Sequence, residues 1–179
     1  MPQPIRRGDY QIESHSDFIL HRPMHAMLIA NIILQWTSVE RSLGWLLCTI
    51  LRADPSQSVR MLDSLQSVRA KVEAIQAAAW TYNDSRLKGD LAEYFRTEFK
   101  RAQKRRNEIA HGDWGLMAEH PDDLILSGIN GVRLKRPLRY SVRDMQETKL
   151  WVKIASGRVR ELMNRFEGAR RITDPLPDR

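Results

Sequence analysis

The sequence predicts an all-α fold: a bundle of four to five helices with a small extended or β-hairpin insert before the last helix. Apolar residues recur at three- and four-residue steps in several long segments, which is the spacing of amphipathic helices. Proline, glycine and capping residues stand where those segments begin and end. The length of 179 residues suits one domain. We therefore expect a single domain over residues 1–179, with an ordered core at about 16–168 and the insert at about 113–140.

The first long helix is predicted to begin at Pro23 or Met24 and to end at Leu51. Proline suits the first turn of a helix, where its missing N–H costs nothing. At about 1.5 Å per residue this segment forms either one helix of about 40 Å or two helices with a break near Gly44. Residues 1 to about 15 precede it and are expected to form a poorly ordered arm.

The later elements are predicted from start and stop signals. Asp54 before Pro55 indicates the start of a short helix, and Ser141 with Asp144 resembles a capping box. The predicted elements are, in order, a short helix at Ser56–Leu62, a helix capped by Asp63 or Ser64 that runs to Ala79, a helix from about Leu87 or Asp90 to His111 that Gly112 ends as a left-handed cap, extended segments at Trp114–Ala118 and Leu124–Ser127, a basic loop at Gly128–Arg139, and a last helix that ends near Gly168.

The chain is basic, with 29 Lys and Arg against 22 Asp and Glu and a formal net charge of +7. The excess positive charge is concentrated before and after one histidine, His111. A concentrated positive charge favours an anionic partner. The two clusters consist of Lys100, Arg101, Lys104, Arg105 and Arg106, and of Arg133, Lys135, Arg136, Arg139 and Arg143.

Several functional classes are not favoured. The most apolar stretch, Ala26–Trp36, is shorter than the about 20 residues that span a bilayer, and the first residues lack the apolar run of a signal peptide. The single cysteine, Cys48, excludes an intrachain disulfide and indicates a reducing compartment. His21 and His25 are four residues apart, but Pro23 places His21 before the helix. We expect a cytoplasmic protein with no membrane segment, metal ion or cofactor.

The run from Lys104 to Gly112 is the most informative part of the chain. It places Arg106, Asn107 and His111 on the last turns of a helix. Arginine binds phosphate through a planar fork of donors, asparagine both donates and accepts hydrogen bonds, and histidine exchanges a proton near neutral pH. The combination predicts chemistry on a phosphodiester. A histidine that only caps the helix is the structural alternative.

Three further residues are candidates for support of this site. Arg106 continues the apolar stripe of its helix, so a buried anion should accompany it. Glu40 falls on the apolar side of the first long helix and is predicted to pair with Arg106, unless it reaches the surface or pairs with another cation. Asp113 either orients the His111 imidazole or forms a turn. Trp114 either stacks on a base or packs in the core.

The spacing of Arg106, Asn107 and His111, at the end of a late helix in a small helical domain, resembles the motif of the HEPN superfamily. Proteins of this superfamily are four- or five-helix bundles, and many are metal-independent endoribonucleases in toxin–antitoxin, phage-defence and RNA-processing systems. The resemblance implies that Arg106 and His111 lie at a dimer interface, faced by an acidic residue such as Glu40. A subgroup of toxins carries a modified tyrosine where this chain has Asp113, so that modification is not expected.

The resemblance also implies a mechanism and partners. Cleavage of RNA by transesterification needs two proton-transfer groups, and a homodimer through the motif helix supplies two copies of His111. Arg106 would stabilise the charge on phosphate, and Asn107 would position it. The expected partners are RNA, a second copy of the chain, and an antitoxin or defence-system protein. A non-catalytic RNA- or protein-binding module is the alternative, because a fold alone does not establish activity. The residues expected to contact RNA are Lys100, Lys104, Arg105 and Trp114.

Overall fold

A computed structural model describes residues 1–5, 12–13 and 18–169 of the chain. The fold is mostly helical and carries a small antiparallel sheet of four strands. The helices are α1 (Phe18–His21), α2 (Pro23–Leu51), α3 (Pro55–Ser64), α4 (Val68–Ala79), α5 (Ser85–Tyr94), α6 (Lys100–Ala110) and α7 (Val142–Glu167). A π-helical segment, Phe95–Phe99, joins α5 to α6. The strands are β1 (Gln3–Pro4), β2 (Gly112–Gly115), β3 (Leu124–Ile129) and β4 (Val132–Tyr140).

Most of the predicted N-terminal arm and all of the chain after Ala169 lie outside the described residues. The described start of the chain is not an irregular arm, because it contains β1. Within the described ranges, no helix is both long and apolar enough to cross a membrane.

The chain divides into two compact units. The first comprises Met1–Trp36 and Arg101–Lys153, and it holds the sheet, most of α6 and the starts of α2 and α7. The second comprises Thr37–Lys100 and Ile154–Arg179, and it holds α3, α4, α5 and the remainders of α2 and α7. The single domain over residues 1–179 stays a prediction.

The sheet of the first unit has the strand order β1-β4-β3-β2. In the β3–β4 register Leu124 lies opposite Tyr140 and Leu126 opposite Leu138, so these four residues share one face. Trp114 of β2 lies opposite Leu126 and meets the Tyr140 ring edge to face, with 5.2 Å between ring centroids. Because Leu124, Leu126 and Tyr140 are fully buried, the sheet is part of the core. The fold is therefore mostly helical but not strictly all-α, and β2, β3 and β4 lie where the extended or β-hairpin insert at about 113–140 is predicted.

Buried aromatic residues pack in the core of the second unit. Tyr82 meets Phe166 edge to face at 5.1 Å between centroids, and its hydroxyl donates to the Ile50 carbonyl at 3.1 Å. The Tyr94 hydroxyl donates to the Ala155 carbonyl at 3.3 Å. Each phenol therefore buries its ring without leaving its hydroxyl unpaired.

The long helices agree with the sequence patterns. α2 is one helix, without the break considered near Gly44. Gly44 serves packing instead, because a β-carbon there would lie 2.8 Å from Cγ2 of Val59 in α3. The capping box of α7 is confirmed: the Ser141 N–H donates to the Asp144 carboxylate at 3.0 Å, and the Asp144 N–H donates to the Ser141 hydroxyl at 3.2 Å.

The capping of two helices differs from the predictions. α4 is capped by Ser67, whose hydroxyl accepts an amide N–H of the first turn at 3.1 Å, and not by Asp63 or Ser64. Gly112 is not a left-handed cap, because it begins β2. A β-carbon at Gly112 would lie 2.5 Å from the carbonyl oxygen of Glu108, so the close approach of β2 to α6 requires glycine.

The predicted basic loop at Gly128–Arg139 is a β-hairpin. β3 continues to Ile129, and Asn130 and Gly131 turn the chain into β4. Both turn residues have positive φ, 52° and 74°, as a two-residue type I′ turn requires, and Asn-Gly is the preferred pair for that turn. This dipeptide is the sequence signal from which the hairpin was predictable.

A buried histidine makes the stability of the first unit depend on pH. His25 is 1% exposed, and its Nε2 lies 3.0 Å from the carbonyl oxygen of Tyr140. Burial lowers the pKa of His25, although the hydrogen bond to Tyr140 opposes the shift. The unfolded chain therefore binds this proton more readily than the folded chain. The free energy of unfolding should fall as pH drops through the ordinary histidine pKa of about 6.5 towards the lowered value.

Urea unfolding at about pH 7.5 and about pH 5.5 brackets that ordinary pKa and measures the effect. We expect the native chain to lose more free energy of unfolding between these pH values than the His25→Gln variant. Glutamine keeps an amide donor for the Tyr140 carbonyl but does not titrate. An equal loss in both proteins would contradict the role assigned to His25.

Candidate functional site

The predicted motif occupies the last turn of α6 and the residue that follows it. Arg106 is half-buried, and its Nη1 donates to Oδ1 of Asn107 at 3.2 Å. Nε of Arg106 is buried and has no hydrogen-bond partner among the described residues. The inward lean predicted for Arg106 is therefore confirmed. Asn107 holds one end of the guanidinium, and the remaining donors suit an anion.

His111 is fixed through its backbone, while its imidazole is exposed. Its N–H donates to the Asn107 carbonyl at 3.0 Å, and its carbonyl accepts from the Asn130 N–H at 2.9 Å. The hairpin turn is thus fastened to the end of α6. Lys104, Asn107 and His111 follow at three- and four-residue steps, so they share one face of the helix. We call this face the motif face. It presents the exposed Lys104 ammonium, the half-buried Asn107 amide and the exposed His111 imidazole.

Asp113 forms the turn contact that the sequence allowed. Its Oδ2 accepts the N–H of Gly131 at 3.2 Å, and its carbonyl accepts the Ser127 hydroxyl at 2.9 Å. The Asp113 carboxylate therefore closes the β3–β4 hairpin one residue away from the backbone contact of His111. The other reading, in which Asp113 orients the imidazole, stays a prediction.

The buried acid beside the motif is Glu108, which the sequence interpretation did not select. Glu108 is 7% exposed, and its Oε2 accepts from the Tyr140 hydroxyl at 2.6 Å and from Nη1 of Arg105 at 2.8 Å. Burial raises the pKa of Tyr140, and the hydrogen bond to Glu108 adds to the shift, so the phenol remains a donor. The three-residue spacing of Arg105 and Glu108 is the signal that could have revealed this pair.

Two residues expected to contact RNA are not placed for that contact. The Arg105 side chain is 15% exposed and is held by Glu108. Trp114 is 7% exposed, and its Nε1 donates to the Ile109 carbonyl at 3.3 Å. Base stacking by Trp114 is therefore wrong, and the packing alternative is confirmed. The other two expected RNA contacts are exposed and stay predictions: Lys100 and Lys104.

Glu40 does not lie on the buried side of α2. It is exposed, whereas Val39 and Leu43 are 0% and 2% exposed. Each helical residue turns by about 100°, so Glu40 lies past the edge of the buried face that Val39 centres. The placement of Glu40 on the apolar side is wrong. Apolar residues stand on both sides of Glu40 along the chain, so the sequence did not show where the buried face ends. Its pairing with Arg106 stays a prediction.

The structure brings the Arg106 guanidinium and the Asn107 amide into contact, and the exposed His111 follows at the end of the same helix. A guanidinium can bind an anion through its planar fork of donors, and an imidazole is a common acid–base group in proteins. Within the described parts of the chain, no group of three or more His, Cys, Asp or Glu could hold a metal ion. His25, considered with His21 as a metal ligand, is directed at the Tyr140 carbonyl.

Comparisons of the chain with protein-family models, with curated proteins and with solved structures found no match.

Proposed function

We propose that the chain is an endoribonuclease that cleaves RNA without a metal ion, through attack of a 2′-hydroxyl on the neighbouring phosphate. One observation carries this proposal: an exposed imidazole at His111 follows a half-buried guanidinium at Arg106, which Asn107 holds. The spacing of the same three residues supports a HEPN-like bundle with a toxin or phage-defence role as the family-level form of the proposal.

The proposed reaction transfers two protons. The first leaves the 2′-hydroxyl, whose oxygen forms a bond to phosphorus. The second reaches the 5′-oxygen as its bond to phosphorus breaks. A neutral His111 imidazole accepts the first proton, and an imidazolium donates the second. Arg106 donates hydrogen bonds to the phosphate oxygens, where negative charge increases in the transition state. The products carry a 2′,3′-cyclic phosphate and a 5′-hydroxyl.

The proposed site is composed of two copies of the chain, because one motif face supplies one histidine. A twofold axis through the motif face would bring His111 of a second copy into the other proton-transfer role. Exposed Lys104 would attract the RNA backbone by charge. An antitoxin or defence-system protein is a further proposed partner.

Incubation of the purified protein with single-stranded RNA in excess EDTA tests the proposal. We expect cleavage of the RNA and none of a DNA strand of the same sequence, because DNA lacks the 2′-hydroxyl. Cleavage that requires a divalent ion, or that proceeds equally on DNA, would contradict the mechanism. Salt-sensitive RNA binding without cleavage would favour the non-catalytic binding module instead.

A further inference from the structure

The second unit carries an exposed tryptophan beside a cavity. Trp80, which caps the C-terminal end of α4, is 70% exposed, although tryptophan is highly buried on average. Lys88 of α5 places Nζ 4.8 Å from the centroid of the Trp80 ring. An indole held this close to an ammonium is a preorganised apolar surface next to a positive charge.

The cavity between α4 and α5 has a volume of about 270 Å³. Its apolar lining includes Ala79 and Leu91, which are each 1% exposed. Gln76 lies one turn before Trp80 on α4, and Lys88 lies one turn before Leu91 on α5, so both polar side chains line the same cavity. The volume is just under the about 300–1,000 Å³ of pockets for drug-sized ligands, which suits one planar ring system.

The acids nearest to Lys88 on α4 and α5 contact other groups. The carboxylate of Asp84, the N-cap of α5, accepts the Leu87 N–H at 2.9 Å. The other acids of the two helices contact cations at 2.6–2.7 Å: Glu73 with Arg69, Asp90 with Arg165, and Glu93 with Arg96. The Lys88 ammonium faces the indole instead. A ligand that stacks on Trp80 should therefore bind more tightly if it also carries a negatively charged group.

We propose that this cavity binds a nucleotide. The base stacks on the exposed indole of Trp80, the Gln76 amide hydrogen-bonds the edge of the base, and Lys88 contacts the phosphate. Stacking on an aromatic side chain is tolerant of sequence because every base has a π-face. The nucleotide is either free or part of an RNA strand, and only the second case rests on the proposed function. The site lies entirely within the second unit, whereas Arg106 and His111 lie in the first.

Fluorine NMR of the full chain labelled with fluorotryptophan tests this proposal. The chain has five tryptophans, and Trp80→Phe assigns the signal of Trp80. The His111→Ala background prevents the proposed cleavage during titration with AMP or with a short single-stranded oligoadenylate RNA. We expect the Trp80 signal to shift while the Trp45 signal stays fixed. Trp45 is the matched control because it is 44% exposed, belongs to the same unit and does not line the cavity.

Variants measure the contribution of each group. Trp80→Ala should weaken binding about 5- to 150-fold, the factor that corresponds to about 1–3 kcal/mol per stacked base. Lys88→Ala should weaken it and reduce the salt slope of RNA binding by about 1. Trp45→Ala should leave affinity unchanged. Because Trp80 is exposed, its replacement should keep the protein folded, which the remaining fluorine signals report.

The two titrations separate the sources of the nucleotide. A Trp80 shift with AMP supports a site for free nucleotides, and a shift with RNA alone supports a subsite for a strand. No shift with either ligand, or an affinity that Trp80→Ala does not change, would overturn the proposal. Because the readout is binding to a His111→Ala chain, failure of the cleavage assay would leave this result intact.

Discussion

Replacement of His111 by alanine is expected to lower the rate of RNA cleavage by at least about 10²-fold and up to about 10⁴-fold. A general acid or base contributes about this factor, and a site composed of two copies loses both groups through one substitution. The imidazole is exposed, so the free energy of unfolding should change by less than about 0.5 kcal/mol. Single-turnover cleavage with excess protein, together with urea unfolding of the same variant, separates the two effects.

His120 provides the matched control. It is a half-buried histidine of the same unit, in the connection between β2 and β3, and its Nδ1 lies 3.4 Å from Nη1 of Arg139. It is outside the motif face, so His120→Ala should cleave RNA at nearly the native rate. An unchanged rate in His111→Ala, or equal losses in both variants, would contradict the assignment of His111.

Replacement of Glu108 by alanine is expected to destabilise the protein by about 3–5 kcal/mol, the usual effect of removing one partner from a buried ion pair. The substitution leaves the Tyr140 hydroxyl and the Arg105 guanidinium without their shared acceptor. Tyr140 is fully buried, so water does not replace that acceptor readily. Since a domain of this kind is stable by about 5–15 kcal/mol, the loss should be obvious in urea unfolding.

The control for Glu108 is Glu161, which forms the same three-residue pairing with Arg158 on an exposed surface. Glu161 is exposed, whereas Glu108 is 7% exposed, so Glu161→Ala should cost at most about 1 kcal/mol. Glu108→Gln keeps an acceptor and should fall between the two alanine variants, which preserves the test if Glu108→Ala does not fold. Equal losses in the free energy of unfolding for Glu108→Ala and Glu161→Ala would contradict a stabilising role for the buried network.

Much of the helical fold was predictable because its signals are local. The apolar spacing of α2 and the capping box at Ser141 depend on residues a few positions apart. The sheet was predicted only in part, as an extended or β-hairpin insert, because some of its pairings join distant parts of the chain. β1 is two residues long and pairs with β4 more than 130 residues later in the chain, as Gln3 opposite Arg139 shows. The Asn130–Gly131 turn is the local signal for the β3–β4 hairpin.

The candidate site shows the same difference between residues placed by local signals and residues placed by distant contacts. Arg106, Asn107 and His111 were predictable because one helix end places all three. The errors on Arg105 and Trp114 concern side chains with distant partners. Arg105 was predicted to face solvent, but it contacts Glu108 and Tyr140, and Tyr140 lies 35 residues later in the chain. Trp114 was predicted to contact RNA, but it packs in the core against the same Tyr140 ring.

The central claim is that His111 transfers protons in a 2′-hydroxyl transesterification. Its most direct test is mass spectrometry of the RNA ends produced in excess EDTA by the native chain and by His111→Ala. We predict a 2′,3′-cyclic phosphate and a 5′-hydroxyl from the native chain, and neither end above background from His111→Ala. Ends that carry a 5′-phosphate, or cyclic-phosphate ends formed at the native rate by His111→Ala, would contradict it.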